Sequence, residues 1–394
     1  MATVSPEKRN WVKAMLGVDL PAAGPGAAPG DGTTVAAVPA AADDDSADMA
    51  VFLDTALKEK DWTQAAQIIN GFAPAALKAA LSKLSADVVA QLHKTACASP
   101  AMGASSPIAL ATEVLAHPVL GTRQSARAEA MEKKLAPEDQ KKYRALVDGA
   151  KTPEEKQYIT KGLAANHTVA ELEAFAAKIA GKDAQWMQDN LSLTGQSNGK
   201  GVKQQWHDSC GPTTFEAVQG ELDPLYALKK HEDNANLDSA DNADATKNNP
   251  NLAADQKAIL TNAGGIAVNR NQTGGQGMWI AAPLNTLSAS TGVTYDLKKI
   301  GEGATVDEGV TALNDATAGG TPVPISIGNG AKNYQHYVLV TASDPGPPRY
   351  YTIHDPWDGK TVIRSEDQLR NGKLDIAGCN DFESFDKPTP VAVP

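Results

Sequence analysis

Cys210 stands in the segment Gln204-Gln205-Trp206-His207-Asp208-Ser209-Cys210-Gly211-Pro212-Thr213-Thr214. Asp208 or Ser209 suits a helix N-cap and Pro212 suits a first turn, so the pattern sets Cys210 at a helix N-terminus. The free N–H groups and the dipole of a helix start favour a thiolate, the form of cysteine that attacks carbonyl carbon. Gly211 is expected to leave room for a substrate beside the sulfur. Such a nucleophile needs a proton shuttle. Of the seven histidines, His336 opens a β-branched run ending at Thr341, and the next such run is Tyr350–Asp355. In a simple hairpin that joins Thr341 to Tyr350, His336 falls opposite Asp355, where side chains on one face have Cβ atoms about 4.5–5.5 Å apart. A carboxylate beside an imidazole fixes its tautomer and stabilises imidazolium. Gln204, six residues before Cys210, offers an amide to bind an oxyanion together with the Cys210 backbone N–H. The candidate catalytic set is therefore Cys210, His336, Asp355 and Gln204, and its chemistry calls for no metal and no organic cofactor.

Each of these residues has a competing reading. A one-residue bulge would break the assumed hairpin register. Gln205 replaces Gln204 if the loop is kinked, and His207 and His354 are alternative bases. His207 precedes the helix, whereas His354 points to the strand face opposite Asp355. Asp355 in Asp355-Pro356-Trp357-Asp358-Gly359 can simply shape a turn. A cysteine before glycine is commonly a buried structural thiol. The Gly-rich run 264–277 lacks the Lys-Ser/Thr of a phosphate loop and is expected to be a mobile loop beside the cleft, as is Gly328-Asn329-Gly330.

The elements that must position these groups lie in residues 199–394, where helices precede strands, the order of an α+β domain. Expected helices are Cys210–Gly220, Met278–Gly292 and Thr305–Ala318; expected strands are Pro322–Gly328, His336–Ala342, Arg349–His354 and Lys360–Ser365. Residues 49–192 read as an Ala-rich all-α scaffold or adaptor. Its helices are expected over Met49–Glu59, Asp61–Asn70, Pro74–Leu84, Ser85–Ala98, Arg123–Leu135, Pro137–Ala150 and Asp183–Leu191, with Thr152/Glu155 and Thr168/Glu171 at capping-box spacing. Residues 1–20 hold a short amphipathic helix, and 21–48 an Ala/Pro/Gly-rich linker.

The 394 residues suit two or three domains, with 42 % hydrophobic and 21 % charged residues, ordinary values for a globular protein. A formal charge of −11 disfavours a nucleic-acid partner. Three widely spaced cysteines (Cys97, Cys210, Cys379) build neither a disulfide framework nor a Cys-x-x-Cys metal pair. The first residues lack the apolar run of a secretory signal, and no stretch approaches the roughly 20 apolar residues of a membrane span.

The segment Gln204…Cys210-Gly211-Pro212-Thr213, the strand 319–327, His336-Tyr337-Val338-Leu339-Val340, and Asp355-Pro356 followed by Gly359 resemble the papain-like cysteine peptidase superfamily. Within it they are similar to bacteriocin-processing (double-glycine) peptidase-like domains. The resemblance covers about half the chain. It implies Cys210 as nucleophile, His336 as general base and acid, Asp355 as orienting residue and Gln204 as oxyanion-hole donor, acting on a protein or peptide substrate. Deamidation or acyl transfer by the same residues, and a non-enzymatic binding or cargo role, are the alternatives. Two departures are a polar insertion, Leu228–Asp255, and the helical region that precedes the domain. That region, through Ala56–Ala66, Asn70-Gly71-Phe72, Lys151–Lys156 and Gly181–Trp186, resembles modules of bacterial secreted toxins and of extracellular contractile injection system cargo. The implied location is the bacterial cytoplasm before export by a signal-peptide-independent route, with delivery into a target cell.

Overall fold

The computed structural model describes residues 119–195, 200–240, 243–330, 334–343 and 349–393, and positions 62, 63, 65, 66, 92, 95 and 96. The chain divides into two compact units, Met1–Ala116 and His117–Pro394. In the first unit the described positions are helical, and Ala65, Ala66, Leu92 and Ala96 are fully buried. The helix expected in 1–20, the linker 21–48, the helices Met49–Glu59 and Pro74–Leu84, and Cys97 lie outside the described residues.

The second unit opens with five helices: α1 (Thr122–Glu132), α2 (Pro137–Gly149), α3 (Pro153–Ala164), α4 (Val169–Ile179) and α5 (Ala184–Asn190). Their ends follow local chemistry. Thr152 accepts the Glu155 N–H, Thr168 and Glu171 form a reciprocal capping box, and Asp183 accepts the Trp186 N–H. One apolar face of each packs into a core that includes Tyr158, Leu163, Leu172, Phe175 and Ile179.

The sequence reading separates 49–192 from 199–394, but these helices share one unit with the sheet. The reason is direct contact. A Cβ on Gly121 would lie 2.2 Å from the Gly319 carbonyl oxygen, so two backbones meet where neither has a side chain. Arg127 donates to the Ala289 carbonyl at 2.8 Å, and His167 pairs with Asp223 at 2.9 Å.

Next come α6 (Cys210–Leu222), α7 (Pro224–Asp233), a 3-10 turn at Ala245–Lys247, α8 (Pro250–Asn262), and the short α9 (Ala281–Asn285) and α10 (Ser288–Thr291). The polar insertion 228–255 therefore carries helix. The single helix expected over Met278–Gly292 is replaced by the two short ones, which end at Gly292 in a left-handed conformation with φ 74°.

The rest of the chain is β1 (Val293–Lys299), α11 (Val306–Ala318), β2 (Val323–Asn329), β3 (Tyr334–Ser343), β4 (Tyr350–Asp355), β5 (Lys360–Ser365), α12 (Glu366–Arg370) and β6 (Asp381–Pro390). The strands form one antiparallel sheet in the order β1-β6-β2-β3-β4-β5. Alternation sends Tyr295, Tyr337 and Leu339 to the face covered by α6, and Ile325, Val338, Val340 and Ile353 to the face covered by α11. The chain is thus α+β, with helices on both faces of an antiparallel sheet. Among the described residues no helix is long and apolar enough to cross a membrane.

Candidate active site

Cys210 is the first residue of α6, a free and partly exposed thiol. The Ser209 hydroxyl does not cap the helix as expected. It accepts the Trp206 N–H at 3.1 Å and lies 3.0 Å from Gln256 Oε1, bracing the loop that enters the helix. Gly211 has a different use from the one expected. A Cβ there would press on Met278 and Ile280 at 3.1–3.2 Å, so the glycine lets the 278–280 segment pack on the helix start.

His336, on β3, is 1 % exposed, and Asp355, at the end of β4, is 5 % exposed. His336 Nε2 lies 2.7 Å from Asp355 Oδ1. An ionised carboxylate only accepts, so Nε2 carries the hydrogen of this bond. The same Oδ1 accepts the Trp357 N–H at 2.8 Å. The direct opposition expected for this pair is not the one formed. Leu339 pairs with His354, and a register shift between Val340 and Ala342 separates this stretch from Ala342–Thr352. Continuing the Leu339–His354 register sets Asp355 across from Val338, one step diagonally from His336 on the same face. The β3–β4 ladder stops at Leu339–His354, so no β4 backbone is hydrogen-bonded beside His336.

Burial alone would push His336 down. Hydrogen bonds to Asp355 and Cys210, and the charges of both, outweigh it and raise the imidazole to about 10. His336 Nδ1 makes no hydrogen bond among the described residues, although Cys210 is near enough to favour the charged ring. A resting catalytic pair often has that geometry and tightens when substrate binds. Burial would raise Asp355, but the His336 bond and charge and the Trp357 N–H hold it below the usual carboxylate range.

Gln204 is buried, and its side-chain NH2 donates to the carbonyls of Trp206 (3.1 Å) and His207 (2.7 Å). Both hydrogens are committed, so Gln204 shapes the nucleophile loop, and reaching an oxyanion requires giving up one of these bonds. Gln205 is likewise engaged, donating to Lys203 and Ser239 carbonyls. His354 is fully buried, bonded to the Val202 carbonyl and lowered by burial, which makes it a structural histidine. His207 is held by Asp208 at 3.1 Å and lines the cleft with Cys210.

That cleft holds about 360 Å³ and is bordered by Cys210, Gln276, Met278, Trp279, Gln335 and Tyr337. Its rim includes the Gly-rich run, pinned by an Ile266–Gln276 bridge and by Val268, whose carbonyl accepts the His207 N–H. Arg270 of this run donates to the Gln204 and Trp357 carbonyls, with its guanidinium 4.1 Å from the Trp357 ring centre. The run thus ties the nucleophile loop to the turn after Asp355.

Four further residues escape sequence reasoning. Gln256, on α8, accepts the Gln205 N–H (2.7 Å) through Oε1 and donates through Nε2 to the Lys203 carbonyl (3.1 Å) and Glu216 (3.2 Å). Glu216 in turn meets Lys230 at 2.7 Å, and Lys230 also meets Asp255 at 2.7 Å. Burial alone would lower Lys230, but these carboxylates raise it and keep it an ammonium. A buried polar network therefore runs from α7 and α8 to the residue before Cys210. Its only sequence signal is the density of polar residues in the insertion.

Among the described residues no cluster of three or more His, Cys, Asp or Glu side chains is placed to hold a metal ion. No protein-family model matches the chain, and no curated protein matches it.

Proposed function

We propose that the second unit is a papain-like cysteine hydrolase that cleaves an amide bond, peptide or isopeptide. The observation that carries this reading is the buried 2.7 Å His336–Asp355 pair within reach of a thiol at a helix N-terminus. Cys210 Sγ, its proton already resting on His336 Nδ1, attacks the substrate carbonyl carbon as a thiolate. The developing oxyanion faces the N–H groups at the start of α6. His336 then gives the proton to the departing amine nitrogen as the C–N bond breaks. Water, losing a proton to His336 Nδ1, attacks the acyl carbon, the C–S bond breaks, and the thiolate–imidazolium pair is restored. Asp355 holds the ring and balances the imidazolium in both steps.

The sequence resemblance extends the reading to a bacterial effector, exported without a cleavable signal and acting on a protein or peptide. One observation favours the alternative, a binding module. The Gln204 amide is committed to loop carbonyls and offers no free donor to an oxyanion. The deciding experiment is iodoacetamide alkylation of Cys210 against pH, in wild type and His336→Ala. Fast alkylation at pH 6 that collapses in the variant supports the hydrolase; slow alkylation that ignores the substitution moves the reading to binding.

A further inference from the structure

A second cleft of about 340 Å³ adjoins the one at Cys210, and the two share Trp279 and Gln335. Trp279 stands between them with 42 % of its surface exposed, and Ile266, on the Gly-rich rim, is exposed by 51 %. These are the exposed large hydrophobics among the described residues, and Trp279 lines both clefts. A single-residue ligand would not need them. A chain lying across Trp279 would cover that indole.

The second cleft holds Glu383, and the backbone explains why. The β2–β6 register shifts between Ser326 and Ile327: Ser326 pairs with Ser384, and Ile327 pairs with Phe382. Glu383 is the extra residue of this bulge, a device that re-aims a side chain out of the alternation. Its carboxylate lies over Gly328, where a Cβ would come within 1.7 Å of Glu383 Oε1. Gln335 Nε2 donates to Oε2 at 2.7 Å. Glycine on one strand and an amide on the next thus fix a carboxylate at the junction of the clefts. No cation pairs with it among the described residues. Lys299 lines the same cleft, where Glu302 balances its charge at 3.2 Å, and it lies 5.5 Å from the Trp279 ring centre, so a substrate cation would share the indole with it and depend on Glu383 for its counter-charge.

We propose that the second cleft is a specificity subsite, in which Glu383 and Trp279 receive a lysine or arginine side chain of a polypeptide substrate whose scissile group lies at Cys210. The proposal rests on the hydrolase reading and adds the chemistry that selects the substrate. A guanidinium or ammonium there meets the carboxylate on one side and the indole on another, and the butyl or propyl stem lies on the aromatic wall.

The test uses the full chain and a proteome-derived peptide library made by cleavage after acidic residues, so that Lys and Arg stay internal. Wild type, Cys210→Ala and Glu383→Gln are incubated with it, and mass spectrometry reads new termini and the mass gain of deamidation. Glu383→Gln keeps the shape and the Gln335 contact. The expected result is Lys or Arg enriched at one fixed position in wild-type products, an enrichment lost at least about fivefold in Glu383→Gln and turned towards Asp or Glu in Glu383→Lys. Products with no basic preference, or with one that Glu383→Gln leaves intact, overturn the subsite while leaving the hydrolase standing. A wild type whose products match those of Cys210→Ala overturns both.

Discussion

His336 and Asp355 are joined through Nε2 and Oδ1 at 2.7 Å although the sheet does not set them face to face. The pair is diagonal, and the Trp357 N–H holds the same carboxylate oxygen from the far side. Asp355→Asn keeps an acceptor but removes the charge that balances imidazolium. At pH 6, where an ordinary thiol is about 0.3 % thiolate, His336→Ala is expected to slow Cys210 alkylation by about 100-fold. Asp355→Asn should fall between it and wild type. A rate for Asp355→Asn equal to wild type would show that the carboxylate is merely structural.

The raised imidazole also links stability to pH. A histidine at about 10 when folded and near 6.5 when unfolded contributes its full stabilisation below about pH 6.5. The contribution is lost as pH rises through about 10. Urea midpoints at pH 6.5, 8 and 9.5 should fall for wild type and fall less for His336→Gln, whose amide can still donate to Asp355. Parallel slopes for the two proteins would contradict the assignment.

A different acid governs the window below. Asp386, on β6, is fully buried, and neither carboxylate oxygen finds a partner among the described residues. Burial first, and then Asp296, raise it to about 7. Folding therefore favours its protonated form. The stabilisation is full below about pH 4, fades as pH rises to about 7, and is flat above. Asp386→Asn should flatten the stability profile between pH 4 and 7 and leave the slope above 7 unchanged.

The polar network behind the nucleophile predicts a separation of effects. Gln256→Leu strands the Gln205 N–H, at about 1–3 kcal/mol for a buried group left unpaired, and leaves the Ser209 hydroxyl only its bonds to the Trp206 backbone. It should also lower Cys210 reactivity towards iodoacetamide at pH 7 while the protein remains folded by circular dichroism. Lys230→Met leaves Glu216 buried without its ammonium and should cost about 3–5 kcal/mol in a urea titration. Equal alkylation rates in Gln256→Leu and wild type would limit Gln256 to stability alone.

Much of the fold around the site is written in local chemistry. The Lys360–Ser365 strand and the Thr168/Glu171 cap are found where propensity and spacing set them. Cys210 opens a helix because a turn-forming segment and Pro212 precede an apolar period. What is not legible depends on tertiary contact. β1 and β6 stabilise each other across distant sequence, and Asp381–Pro390 carries prolines and charges that weaken any strand signal. The bulge near Thr341 leaves no mark in residue type, so the hairpin register slips while the shared face survives. Gln204 is buried as a site residue would be, yet only the positions of the Trp206 and His207 carbonyls reveal where its amide points. The boundary between the compact units falls at 116/117 and not near 192, and glycines 121, 319 and 320, too small to signal anything in sequence, are one place where the helices from Thr122 onward meet the sheet unit.

The position of β6 has a consequence for how the molecule comes into being. Of the six strands of this sheet it is made last, yet it lies second in the order, hydrogen-bonded to β1 on one side and β2 on the other. Until it is in place, β1 has no neighbour and the strands that carry His336 and Asp355 form only a partial sheet with an open edge on β2. Glu383 arrives with the same strand. The nascent chain therefore holds its thiol without a completed sheet and without the carboxylate proposed to select a substrate.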